Sequence, residues 1–177
     1  MNIIIRDLDR TRVEFEALVR RVGEGDATTA FRRALNHEGR KSFTAVRRAL
    51  RGQTGIKMGE INAALRYRGA SRQSLRAVIT GTGRPMALRH FGARQFSYGV
   101  RAKPWGRAQQ FHSAFIIDTL GGHVYKRSGK SRLPIEKLWG PSIPREMLRH
   151  ETKATFEQSA QHVAPRAMHE LSRLLRL

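Results

Sequence analysis

The sequence predicts an α+β domain, in which helices at both ends of the chain enclose a central, mainly antiparallel sheet of about four strands. Apolar residues recur at helical spacing before residue 70 and after residue 142, whereas short β-branched runs bounded by glycine and proline fill the stretch between. A length of 177 residues suits one such domain. We therefore divide the single domain, 1–177, into a helical part (1–70), a sheet with a basic loop (71–142) and a C-terminal helix (143–177).

The first part contains three stretches with helical periodicity. Gly23 can end the first of them, and Asp26 can cap the second. Gly39 lies in the middle of the second stretch, where glycine lowers helix propensity. The predicted helices cover residues 8–22, about 27–50 and about 59–67.

Strand-sized apolar segments occupy the second part. Gly121-Gly122 separates two of them and is a natural hairpin turn. The stretch 86–91 fits neither a helix nor a strand pattern clearly. The predicted strands lie at 75–79, 98–102, 115–119 and 124–127.

Helical periodicity returns at Ile143 and continues to the end of the chain. Pro144 suits a first helical turn. Pro165 lies inside the pattern and should kink the helix, because its ring clashes with the preceding turn.

The charge of the chain is extreme for its size. Formal net charge is +20, and 27 of the 34 basic residues are arginines. Such a chain is expected to meet a polyanion, namely nucleic acid, an acidic membrane surface or an acidic protein partner, because so much like charge repels itself in a compact fold. The alternative is a basic surface that serves solubility alone. Residues 61–117 contain ten basic residues and no acidic one.

Candidate polyanion contacts follow from this charge density. They are Arg47, Arg48, Arg51, Lys57, Arg66, Arg68, Arg72 and Arg76. Aromatic residues alternate with arginines in the acid-free stretch, a pattern found where proteins hold single-stranded nucleic acid. The same pattern arises when strands carry ordinary core aromatics, and the alternation around Tyr98 favours that interpretation.

A phosphate-binding loop is suggested by Gly129-Lys130-Ser131, which matches the end of the P-loop pattern. The first glycine of that pattern would stand at position 124, which is Val124, and Pro134 opposes the helix that should follow. The sequence therefore argues against an NTPase.

No other catalytic or metal-ligating pattern stands out. The chain has no cysteine, and His162 and His169 lack further ligands at suitable spacing. We expect no enzyme activity, no metal and no cofactor. No apolar run approaches the ~18 residues of a membrane span, so we expect no membrane contact and synthesis in a cytoplasm.

The order of several short segments resembles the minor tail protein Z family of long-tailed bacteriophages, which are lambda-like tail completion proteins. Earlier stretches, ALNHEGRK at 34–41 and TGIK at 54–57, also fit this family. The most specific segments are RQ at 94–95, GVRAKPWG at 99–106, FHSAFI at 111–116, HVYKR at 123–127 and RLPIEKLWGPS at 132–142.

This resemblance implies a structural protein of the virion, made in the host cytoplasm and placed at the head-proximal end of the tail. Such proteins assist tail completion, head–tail joining and DNA passage, without known enzymatic activity. The implied partners are the tail terminator, other tail or neck proteins and further copies in a ring, commonly a hexamer. Genomic DNA is a further partner, contacted through nonspecific charge.

The basic loop supplies the candidate subunit or partner interface. Its apolar members could instead fill the core of the domain itself. The interface candidates are Lys126, Arg127, Lys130, Arg132, Leu133, Ile135, Leu138 and Trp139. The competing function is a free, sequence-nonspecific nucleic-acid-binding protein, which would bind duplex tightly with a steep salt dependence.

Overall fold

The computed structural model describes residues 2–5 and 24–174 of the chain. Within them the expected α+β class is confirmed, since helices flank antiparallel strands. The helices are α1 (Glu24–Thr54), α2 (Met58–Ala64), α3 (Ile143–Glu146), α4 (His150–Gln161) and α5 (Val163–Leu174). The predicted helix over 8–22 lies outside the described residues.

The strands form three small sheets, whereas the sequence predicted one sheet of about four strands. The first sheet has the order β1-β3-β2, and the other two have the orders β4-β5-β6 and β7-β8-β9. All pairings within them are antiparallel. The strands are β1 (Asn2–Ile5), β2 (Leu65–Arg68), β3 (Ala77–Gly81), β4 (Arg94–Phe96), β5 (Gly99–Ala102), β6 (Gln109–His112), β7 (Ala114–Ile117), β8 (His123–Arg127) and β9 (Ile135–Lys137).

Helix α1 is the central helix of the helical layer, which consists of α1, α3, α4 and α5. Its 31 residues span about 45 Å at the usual rise per residue. Alanines at 30 and 34 and Leu50 are fully or almost fully buried, and α1 packs along both α4 and α5. A Cβ at Gly39 would lie 2.6 Å from the hydroxyl oxygen of Tyr67, so a larger residue there would force the Tyr67 side chain to shift. The glycine that weakens helix propensity thus lets the first sheet approach α1 closely.

The third predicted helix ends earlier than expected. Its apolar pattern continues to Leu65, but α2 stops at Ala64 and Leu65 begins strand β2. Leu65 then pairs with Gly81 of β3 and remains buried. A buried apolar residue serves the core equally well from a helix or a strand, so periodicity alone could not place this boundary.

The C-terminal helix is bent near Pro165, as predicted. Helix α4 ends at Gln161 and α5 begins at Val163. The bend precedes the proline because its ring clashes with the carbonyl four residues earlier, which belongs to Gln161. Short helix α3 carries Pro144 in its first turn, also as predicted.

Side chains join the second and third sheets to each other and to the helices. The side-chain oxygen of Gln95, on β4, accepts a hydrogen bond of 2.9 Å from the backbone N–H of Ile116, on β7. Buried Glu146 accepts hydrogen bonds from Gln53 Nε2 at 2.8 Å and from Trp105 Nε1 at 3.2 Å. The second sheet is therefore linked both to the third sheet and, through Trp105 in the β5–β6 connection, to the helices. No helix in the described part of the chain is both long and apolar enough to cross a membrane.

Candidate functional site

The basic loop forms a hairpin between β8 and β9. Gly121-Gly122 makes the preceding turn, as predicted, and both glycines have positive φ values, of 76° and 67°. Where the two strands end, the N–H of Ser128 donates to the carbonyl of Pro134 at 3.2 Å, and the Ser128 hydroxyl donates to Glu136 at 2.7 Å. These bonds give the loop a defined base. We call residues 123–139 the basic hairpin.

The apolar residues of the basic hairpin divide into exposed and inward-facing ones. Leu133 is 66% exposed and Trp139 is 50% exposed, so neither fills the core. Ile135 is half-buried, while Leu138 packs against the core of the domain. Of the apolar interface candidates, Leu133 and Trp139 are therefore presented most fully to solvent.

The basic hairpin also carries exposed cations. Lys126, Arg127, Lys130 and Arg132 are all exposed. Arg127 lies over the ring of Phe115 at 5.2 Å, and Lys137 lies over the ring of Trp139 at 4.4 Å. The structure thus brings all eight predicted interface residues onto one hairpin, with an apolar and cationic outer surface.

Histidine adds little charge to this surface near neutral pH. Loss of solvation and the nearby charges of Arg89 and Lys137 hold the pKa of His123 below its usual value. The charge of the basic hairpin therefore comes from its lysines and arginines.

The Gly129-Lys130-Ser131 stretch lies at the tip of this hairpin. It connects two antiparallel strands, and β9 follows it instead of a helix. A P-loop places its last residues at a helix N-terminus, where backbone N–H groups meet phosphate. This loop lacks that geometry.

The predicted polyanion residues are spread over α1, β2 and the segments that connect elements. Arg48 and Arg51 are exposed on α1, and Arg66 and Arg68 are exposed on β2. Lys57, Arg72 and Arg76 are exposed in connecting segments. They do not form one compact site.

Arg47 differs from the other polyanion candidates because its guanidinium lies 5.3 Å from the ring of Phe43. Its Nε is buried, without a partner in the described structure.

Arg66 donates to the carbonyls of Asn62 and Leu65. Part of the donor capacity of Arg66 is therefore used within the fold.

A basic depression between α1 and α5 was not anticipated from the sequence. It has a volume of about 530 Å³. Glu170 in its wall accepts from Arg166 at 2.7 Å. The cations that line it are Arg32, Arg33, Arg40, Lys41 and Arg166. The helical spacing of residues 33, 37, 40 and 41 could have indicated a basic face on α1. The contribution of α5 to the depression could be seen only in the tertiary structure.

Glu38 lies beside this depression and is almost completely buried. Burial acts to raise its pKa, but hydrogen bonds from His37 at 2.7 Å and Lys41 at 3.3 Å outweigh it, so the pKa of Glu38 lies below its usual value. The carboxylate is thus held in its charged form. Among the described residues, no three His, Cys, Asp or Glu side chains converge as a metal site would require.

Comparison with family models, curated proteins and solved structures found no match for this chain.

Proposed function

We propose that this chain is a structural phage tail completion protein, which docks on neighbouring proteins at the head-proximal end of the tail. The observation that carries the proposal is the basic hairpin, where Leu133 and Trp139 stand exposed among four exposed cations. This hairpin coincides with the last segments of the resemblance to the minor tail protein Z family, 123–127 and 132–142.

The chemistry of the basic hairpin suits a protein–protein interface. Tryptophan and arginine are the residues most often found to dominate binding energy at such interfaces. Leu133 and Trp139 would be removed from water on docking, while the cations would steer an acidic partner surface into place. The proposed partners are the tail terminator, other tail or neck proteins, and the adjacent copy in a ring.

A ring arrangement follows from the role we propose. Copies that meet head to tail use two different surfaces, and they close into a ring when the rotation between copies closes. Exposed arginines elsewhere, such as Arg48 and Arg51, would then offset phosphate repulsion as DNA passes, without reading its sequence.

The test replaces Lys126, Arg127, Lys130 and Arg132 together with serine. We expect the variant to fold normally by circular dichroism and to enter tails in reduced amount, as measured by quantitative immunoblotting of purified tails. The matched control replaces four exposed cations of the C-terminal helical region, 143–174, with serine. These are Arg145, Arg149, Lys153 and Arg173.

The control removes the same charge from a different surface. We expect it to enter tails at the level of the unmodified chain. Equal incorporation of both variants would show that the basic hairpin is not the docking surface.

A further inference from the structure

The second sheet, β4-β5-β6, has one face that the tail role does not use. Residues directly opposite in an antiparallel pair share a face, and so do residues two apart along a strand. Arg94 pairs with Arg101, which pairs with Gln110. Phe96 pairs with Gly99, which pairs with His112. These two rows therefore lie on the same face, which we call the arginine–aromatic face.

The arginine–aromatic face carries a row of rings. The rings of Phe96 and Tyr98 are nearly parallel, with centroids 5.4 Å apart and an interplanar angle of 6°. The Tyr98 ring is followed by His112 at 5.7 Å. Phe96 and His112 are exposed, and Tyr98 is half-buried. Gly99 lies between Phe96 and His112 in this row and places no side chain there.

The charges on this face are not paired with carboxylates. Arg94 and Arg101 are exposed and directly opposite each other, an arrangement of like charges that destabilises a strand pair. Neither arginine has a carboxylate within ion-pair distance in the described part of the chain. The sequence contains no acidic residue between positions 61 and 117. A bound anion would relieve the repulsion between the two arginines.

A pocket of about 280 Å³ lies at the arginine end of the face. Arg94, Arg101 and Lys103 line it together with Phe91 and Gly92. Three cations around one pocket, with no carboxylate among its described lining residues, favour a phosphate-sized anion. Arg101 connects the pocket with the rings, because its guanidinium lies 5.4 Å from the centroid of Phe96.

We propose that the arginine–aromatic face binds single-stranded nucleic acid. Bases stack on the row formed by Phe96, Tyr98 and His112, and a backbone phosphate occupies the pocket of Arg94, Arg101 and Lys103. Rings beside cations on a sheet surface are the two components that sequence-tolerant single-strand binding requires. A duplex keeps its bases stacked inside, so it would use the cations and leave the rings without a role. An acidic protein would likewise need only the cations.

This inference is independent of the proposed place in the tail. Docking through the basic hairpin and stacking on the arginine–aromatic face use different residues. Failure of one test therefore leaves the other standing.

The experiment measures binding of the full chain to a fluorescein-labelled oligothymidylate of about 12 nucleotides, a length that suits one small binding surface. Fluorescence anisotropy is recorded at several salt concentrations. Because a net charge of +20 attracts any polyanion, the informative quantities are the effects of substitutions. We expect Phe96→Ala to weaken binding about tenfold, the loss typical of one stacked base, with an unchanged salt dependence.

Replacing Arg94 and Arg101 with glutamine should weaken the salt dependence of binding. We expect the slope of log affinity against log salt to fall in magnitude by about 0.7 for each phosphate that the variant no longer neutralises. Phe96→Tyr retains a ring and should bind as the unmodified chain does. The matched charge control, Arg145→Gln with Arg149→Gln, should leave both affinity and slope close to their original values.

Three results would overturn the proposal. They are a loss of affinity after Phe96→Ala that is equal for single strand and for duplex of the same length, an unchanged single-strand affinity after Phe96→Ala, and displacement of the oligonucleotide by poly-glutamate as readily as by unlabelled oligothymidylate. The last result would identify the face as a surface for acidic proteins. Thermal unfolding of each variant verifies that it is folded, and the exposed position of Phe96 makes its replacement mild.

Discussion

The helical layer and the arginine–aromatic face differ in whether their charged side chains have partners within the fold. In the helical layer, each of three buried carboxylates has its own donors: Glu38 has His37 and Lys41, Glu146 has Gln53 and Trp105, and Glu170 has Arg166. On the arginine–aromatic face, Arg94 and Arg101 oppose each other, and no carboxylate of residues 2–5 or 24–174 lies within ion-pair distance of either.

The difference indicates where the chain would gain from a partner. Removing the donor of a carboxylate that is buried inside the fold should lower stability, because burial without a partner costs free energy. Charges left against one another weaken the isolated domain slightly and gain from an external anion. By the same argument, the exposed apolar side chains of the basic hairpin should contribute little to core packing and would gain from the docking that we propose.

The largest expected effect on stability is the difference between replacing a leucine in the core and replacing a leucine on the basic hairpin with alanine. Leu50 is fully buried on α1, whereas Leu133 is exposed on the basic hairpin. We expect Leu50→Ala to lower the free energy of unfolding by about 2–5 kcal/mol, since it removes core packing and leaves a cavity. Leu133→Ala should change it by less than about 0.5 kcal/mol. Urea unfolding measures both, and a large loss for Leu133→Ala would mean that the hairpin tip belongs to the core.

A smaller effect on stability is expected when an arginine is replaced with methionine, and its sign should differ between the helical layer and the arginine–aromatic face. Arg166→Met removes the cationic partner of buried Glu170, so we expect a loss of about 1.5–3 kcal/mol, the range for a hydrogen bond to a charged group. Arg94→Met removes one of two opposed like charges, so we expect a gain of a few tenths of a kcal/mol, in line with cross-strand pairs. Both are read from urea midpoints at low salt. Destabilisation of equal size at the two sites would contradict the comparison.

The smallest effect is a pH dependence of the helical layer. Because the pKa of Glu38 is lowered in the folded chain, its contribution to stability is present above the unfolded value of about 4.3 and is lost as pH falls through the folded value. Glu38→Gln should therefore be less stable than the unmodified chain at neutral pH, and the two should converge in acid. Urea midpoints measured from neutral pH to about pH 3 test this, and a constant difference between the two chains would exclude Glu38 as the source.

Local patterns in the sequence were enough for several parts of this account. The periodicity of α1, the turn at Gly121-Gly122, the first-turn Pro144 and the bend near Pro165 all follow from interactions within a few residues. The sequence left open whether Leu133 and Trp139 fill the core of the domain. Their exposure in the folded chain shows that they do not. Local chemistry predicted these elements because the same chemistry determines them.

Features that depend on distant residues could not be predicted in this way. The division into three sheets depends on which strand edges meet, as when Gln95 bonds to the backbone of Ile116. The opposition of Arg94 and Arg101 depends on a hairpin register that sequence separation does not reveal. The end of α2 at Ala64 was decided by pairing of the next residues with β3.

The central claim is that this chain completes the tail at its head-proximal end, and its position in the assembled particle tests that claim most directly. The chain is labelled at its C-terminus with a tag visible by electron microscopy, and tails are purified and imaged. The account predicts label at the head-proximal end of the tail tube. Absence of the label from tails and whole particles, with the tagged chain still functional, would contradict it.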